Sequence, residues 1–178
     1  MIDRLYEGHR QLELCAQRLA QLLDALQPDM GALTEARWAI GTKIMQHLAL
    51  EDRHLYANLS ANSDPDVAAI GRKYQAAYAA HLAEYAVHAK RWSATKVKSH
   101  WTAYRRETRE QLRLLAERIA LVERELYPLV GRVVDITVAA VPSRSWARDA
   151  FAIKASVAPS AGSHPEAVST ENKGPRAL

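Results

Sequence analysis

The stretch His47-Leu-Ala-Leu-Glu51-Asp52-Arg-His54-Leu-Tyr56 puts two polar groups where a helix needs apolar ones. His47 and Glu51 stand four residues apart, one turn along a helix and on the same side of it. Ile40 and Ile44 continue that stripe toward the N-terminus, so both polar side chains are expected to point inward. Burying an imidazole and a carboxylate is costly unless something compensates them. A metal ion shared with other helices is one compensation. A network of hydrogen bonds is the other.

Outward from this segment, helical patterns fill the first three quarters of the chain, separated by short turn signals. The first runs from about Asp3 to Leu26, with Leu5, His9, Leu12, Ala16, Leu19 and Leu23 on one face, and Gln27-Pro28-Asp29 ends it. The second runs from about Ala32 to Leu59, up to Ser60-Ala-Asn62-Ser63-Asp64-Pro65. The third, from about Asp66 to Trp92, carries Ile70, Tyr74, Ala77, His81, Tyr85, His88 and Trp92, with Gly71 expected to weaken its first turns. The fourth is expected to start with Ser99 as N-cap and to present Leu112, Leu115, Ile119, Val122 and Leu126, with Pro128 and Gly131 marking its end.

Amphipathic helices of similar length with short connections predict an all-α fold, an up-down-up-down antiparallel four-helix bundle over residues 1–131. Residues 132–157 read as a poorly ordered extension with one short helix, and 158–178, rich in Pro, Ser, Gly and Glu, as a disordered, flexible C-terminal tail.

The 178 residues suffice for one domain with a real core, and 48% hydrophobic with 25% charged residues is ordinary for a globular protein. No apolar run reaches the ~20 residues of a membrane span, and the N-terminus lacks a signal-peptide pattern, so a cytoplasmic protein is expected. The lone Cys15 excludes an intrachain disulfide. A formal net charge of +4 raises the question of nucleic acid, concentrated at Lys96 to Arg109. Glu107 interrupts that stretch, and it reads as a solvated helix face. Nothing resembles a nucleophilic triad or a Gly-rich phosphate loop.

Depth along the helices tests convergence. At ~1.5 Å rise per residue, His9 reaches about the level of His47 and Glu51, and Glu123 lies at a matching depth on the fourth helix. His81 faces inward a turn or two higher. The candidate metal ligands are therefore His9, His47, Glu51 and Glu123, with His81 as a weaker member. Imidazoles with carboxylates in a bundle core suit non-haem iron, or manganese or zinc by substitution. Glu13, one turn after His9, is a candidate acceptor for that ring. His54 reads as a rim group, and Tyr85, Trp38, Trp92 and Trp101 as packing residues.

Two motifs carry a resemblance to the hemerythrin-like (HHE cation-binding) family: His47-x-x-x-Glu51-Asp52-x-x-Leu55-Tyr56 and Glu123-Arg-Glu125-Leu126-Tyr127-Pro128. It covers roughly residues 1–130. It implies a four-helix bundle around a di-iron centre that binds or senses O2 or NO, or handles iron, with His9 and His81 where the family places further ligands. The chain departs from that pattern: Arg118 and Ile119 stand where the family's fourth helix carries a histidine, and Tyr85 follows His81 where many members have a second one. An arginine there offers a guanidinium to Glu51 or Glu123 in place of a metal.

The expectation is a cofactor of one or two irons with a degraded second position, a small diatomic ligand, and no membrane or nucleic-acid partner. Turnover is not favoured, although an oxidase or peroxidase using the same cluster stays open, as does a protein partner or homodimer. The competing reading is a metal-free vestigial bundle acting as a structural or signalling module.

Overall fold

Caps and apolar stripes decide where the chain coils, and residues 2–133, those described by the computed structural model, are helical with no strand among them. Helix α1 (Ile2–Leu22) buries Leu5, His9, Leu12 and Leu19, a spacing of three, four and seven that keeps one face inward. Asp29 caps α2 (Met30–Glu51), its carboxylate accepting from the Ala32 amide at 3.1 Å. The rod does not stop at Glu51. A π-helical turn (Asp52–Tyr56) and α3 (Ala57–Ser60) continue it with right-handed helical backbone at each junction. Asp64 caps α4 (Pro65–Arg91), and Pro65 sits in the first turn, where its missing N–H costs nothing.

The last rod is broken once and widened once. Helix α5 (Ala94–Ser99) is capped by Ser93, His100 interrupts it, and α6 (Trp101–Leu121) follows. The expected Ser99 cap is therefore replaced by Ser93, while Ser99 donates its hydroxyl back to Thr95 O. A second π turn (Val122–Leu126) leads into α7 (Tyr127–Val133), so the helix passes Pro128 and Gly131 rather than ending there. Helix α1 is shorter than its pattern predicts: Leu26 lies beyond it and is 91% exposed.

Cross-helix pairs give the directions. His9 meets Glu123 while Leu23 O accepts from Arg109, so α1 opposes α6 and the π turn after it. Arg37 donates to Trp92 O and Gln75 to Asp52, so the α2 rod opposes α4. His88 meets Thr108 and Tyr74 meets Glu125, so α4 opposes the last rod.

One core runs between them, from Leu5 and Leu12 through Ile40, Ile44 and Tyr56 to Tyr104, Ile119 and Leu126. Trp92 and Trp101 lie in it, as expected. Trp38 is partly at the surface. Part of the basic stretch is structural: Arg109 holds Leu23 O and Asp24, and Arg105 lies 5.9 Å over the Trp101 ring.

No helix among the described residues is long and apolar enough to cross a membrane. The expected short helix and tail lie outside the described residues.

Gly71 is not the weak point its propensity suggests. It is buried, and a Cβ there would come within 2.6 Å of Leu59 Cβ and 3.0 Å of Ser60 N. The close approach of α3 to α4 requires the missing side chain. Gly71→Ala gains about 1 kcal/mol of helix propensity, yet forces two backbones apart. We expect a net destabilisation of about 1–3 kcal/mol, read as a lower urea midpoint.

His88 predicts a pH dependence. Burial first, then the Arg37 guanidinium, pulls its imidazole down from 6.5 to about 4. Between those values the unfolded chain takes a proton that the folded protein refuses, so stability falls as pH drops through this window and the loss is complete below it. His88→Gln, able to keep a bond to Thr108, should flatten the slope of unfolding free energy against pH. His81 and His54, also held low by burial, leave part of it in place.

Candidate metal centre

Every rod delivers part of the site. Helix α1 brings His9, α2 brings His47 and Glu51, α4 brings Tyr78 and His81, and α6 brings Arg118. The two π turns bring Tyr56 and Glu123, and α7 opens with Tyr127. In a widened turn a residue five positions on returns toward the starting face. Tyr56 thereby reaches back to Glu51, donating to Oε2 at 3.1 Å.

Glu51 is 1% exposed and has two distinct sides. Oε1 lies 3.3 Å from His47 Nε2 and 3.8 Å from His9 Nε2, and accepts from Tyr127 Oη at 3.3 Å. Oε2 accepts from Tyr56 and, at 3.3 Å, from Arg118 Nη2. Burial alone would push this carboxyl up. His47, His9 and the Arg118 guanidinium outweigh it and hold Glu51 well below the usual carboxylate range, so a full negative charge sits in the core. Tyr56 and Tyr127 are pushed well above the ordinary phenol value, by burial and then by Glu51, and keep their protons to donate.

His9 is oriented from outside. Its Nδ1 lies 2.8 Å from Glu123 Oε1, and its ring stacks on Tyr127 at 11°. A carboxylate can only accept, so Nδ1 carries a hydrogen, and Nε2 is the nitrogen that faces the cluster. Glu123 fills the orienting place that the sequence offers to Glu13, which is exposed.

His47 is the anomaly. Its ring lies 4.4 Å from that of His9, and neither ring nitrogen has a hydrogen-bond partner although both are buried. The 3.3 Å approach of Nε2 to Glu51 lacks the alignment of a hydrogen bond. Gly8 seats this ring: a Cβ there would overlap His47 Nδ1.

One atom from each of His9, His47 and Glu51 falls within a 4.8 Å cluster. Of the five expected ligands, then, three come together. Glu123 stands on the far side of the His9 ring, and His81 borders a cavity beside the cluster. That cavity, of about 20 Å³, is lined by His9, His47, His81, Tyr78, Tyr85 and Arg118, with apolar side chains closing the rest. It has room for one water-sized molecule. Arg118 pairs with Glu51, not Glu123. His54 is half-buried and stays outside the cluster.

Sequence reasoning missed Gly8 and the roles of Tyr56 and Tyr127. A glycine inside a helix, next to a candidate ligand, was the available signal for the first. Comparison with protein-family models, with curated proteins and with solved structures returns no match to this chain.

Arg118 and Glu51 are buried together, so removing one partner strands the other. Glu51→Leu should cost about 3–5 kcal/mol in chelator-treated protein, and adding Arg118→Leu should restore most of it, read from urea unfolding of both variants.

Proposed function

We propose that this protein binds a non-haem metal ion, iron above all, at His9, His47 and Glu51, as a bundle of hemerythrin type. The observation that carries this reading is His47: a buried imidazole with both nitrogens unpartnered costs about 1–3 kcal/mol for each group left unmet. That ring stands beside a carboxylate oxygen and close to the His9 ring. Two imidazoles and a carboxylate oxygen converging, with one phenol proton among them, match the donor set of a cation site. The opposed rods support an up-down-up-down bundle over residues 1–131, and a cytoplasmic setting is the compartment we expect.

Bound iron would supply a Lewis-acidic, redox-active centre able to take a small diatomic ligand, O2 or NO. The chain's own groups prepare the surroundings. Three protein ligands leave a position open, and the cavity beside them admits a molecule of the size of water and little more. Leu12, Ile44 and Ile119 supply the apolar part of its wall. Tyr127 Oη stands 3.1 Å from His9 Nε2 and can turn its proton to Glu51 when that nitrogen is engaged. Glu123 keeps the His9 ring in its tautomer. None of these groups forms a nucleophile–base pair, so binding or sensing fits better than turnover.

A metal-free interaction module is the second reading, favoured by the Arg118–Glu51 pair, which already neutralises the buried carboxylate. Metal content separates the two. Protein prepared without an affinity tag, loaded anaerobically with ferrous iron and dialysed, should retain iron by elemental analysis. His47→Ala should lose it, and Gly8→Ala, which displaces the same ring, should weaken it. Wild-type protein that emerges colourless and metal-free supports the module instead.

A further inference from the structure

Arg118 gives the centre a positive charge that the binding reading leaves unused. Glu51 turns Oε1 to the histidine pair and Oε2 the other way, toward Arg118 Nη2 at 3.3 Å. A carboxylate with two separate faces can serve two cations, and here a guanidinium already holds the second face.

The arginine is built in. Its side chain is 14% exposed, it donates to Tyr56 Oη at 2.8 Å, and its guanidinium carbon lies 3.6 Å from the centre of the Tyr78 ring. Carboxylate, phenol and aromatic face together hold the cation in place. His81 borders the same cavity. A metal-ligating side chain therefore stands in one small cavity with a guanidinium whose charge repels any metal ion approaching it.

We propose that Arg118 is a resident counter-cation that restricts the centre to a single metal ion. Its guanidinium occupies the outer face of Glu51 and denies that face, with His81, to a second ion. The inference rests on the metal-binding reading of His9, His47 and Glu51, and it states how many ions that centre accepts.

Cobalt(II) titration of the full-length, tag-free apoprotein tests it, with the count read from visible absorption and elemental analysis after dialysis. Wild type should saturate at about one equivalent, and Arg118→Gln at about two, because the freed carboxylate oxygen and His81 become available. Adding His81→Ala to Arg118→Gln should return the count to one. Arg118→Lys, which keeps the charge, should stay at one.

Wild type taking two ions overturns the proposal, as does Arg118→Gln stopping at one or Arg118→Lys rising to two. Wild type taking none defeats the metal-binding reading itself, so the two failures are told apart. Circular dichroism reports whether each variant folds. Arg118→Met, which conserves the stem without the charge, serves in place of Arg118→Gln if the latter does not.

Discussion

One buried anion governs the arrangement of this protein. Glu51 lies in the core with a full charge, and moving a carboxylate there from water costs several kcal/mol even after the surroundings relax. The fold answers with four close partners on two sides and a fifth nearby: His47 and Tyr127 on one oxygen, with His9 at 3.8 Å, and Tyr56 and Arg118 on the other. Both π turns belong to this answer. The first follows Glu51 directly and swings Tyr56 onto it; the second carries Glu123 and hands over to Tyr127. A wide turn costs regular hydrogen bonding, and at these two places it brings groups that regular helices would aim elsewhere.

The two sides of Glu51 are not alike, and the difference separates structure from function. On one side the Oε2 oxygen is matched: a guanidinium and a phenol donate to it, and Tyr78 lies under the charge. That side is complete as it stands. On the Oε1 side Nε2 of His9, Nε2 of His47 and a carboxylate oxygen crowd together, with one phenol proton to share. A protein that needed only to neutralise Glu51 could do so with Arg118 and the tyrosines. His47 helps to hold Glu51 ionised yet leaves both its own nitrogens without a hydrogen bond, and that cost asks for a bound partner.

How much of this was legible follows from what helical periodicity encodes. The His47–Glu51 spacing lies within one helix, so their shared face could be read directly, and the apolar stripes of α1, α2, α4 and α6 follow the same rule. Depth arithmetic placed His9 at the right level, because rise per residue is nearly constant. It could not tell which side of the His9 ring Glu123 would reach, since rotational phase across helices depends on how the rods pack and on the two π turns, neither of which composition announces. His81 shows the same limit. Its inward face was visible, but its place across the cavity, next to Arg118, depends on cross-helix packing. The end signals misled in a different way. Ser99 and Ser93 are both plausible caps, and Pro128 reads as a stop, yet the chain continues through it after a widened turn.

The far end of the molecule explains how the fold tolerates an unsatisfied centre. There, unmet backbone groups are answered by side chains from other helices: Trp101 donates to Ala25 O, Arg109 to Leu23 O, and Arg37 to Trp92 O. Trp92 in turn donates its indole hydrogen to Glu107, and Arg37 lies over the Tyr104 ring. These contacts close the carbonyl ends of α1 and α4, the helix ends where orphan acceptors accumulate. Indoles and guanidiniums suit the task because they carry donors on large bodies that also fill the core. Trp92, Trp101 and Tyr104 interlock at this end, and the opposite end keeps the unpartnered imidazole. The rods that carry the centre are thus tied to one another at both ends, by the partners of Glu51 on one side and by these carbonyl clamps on the other.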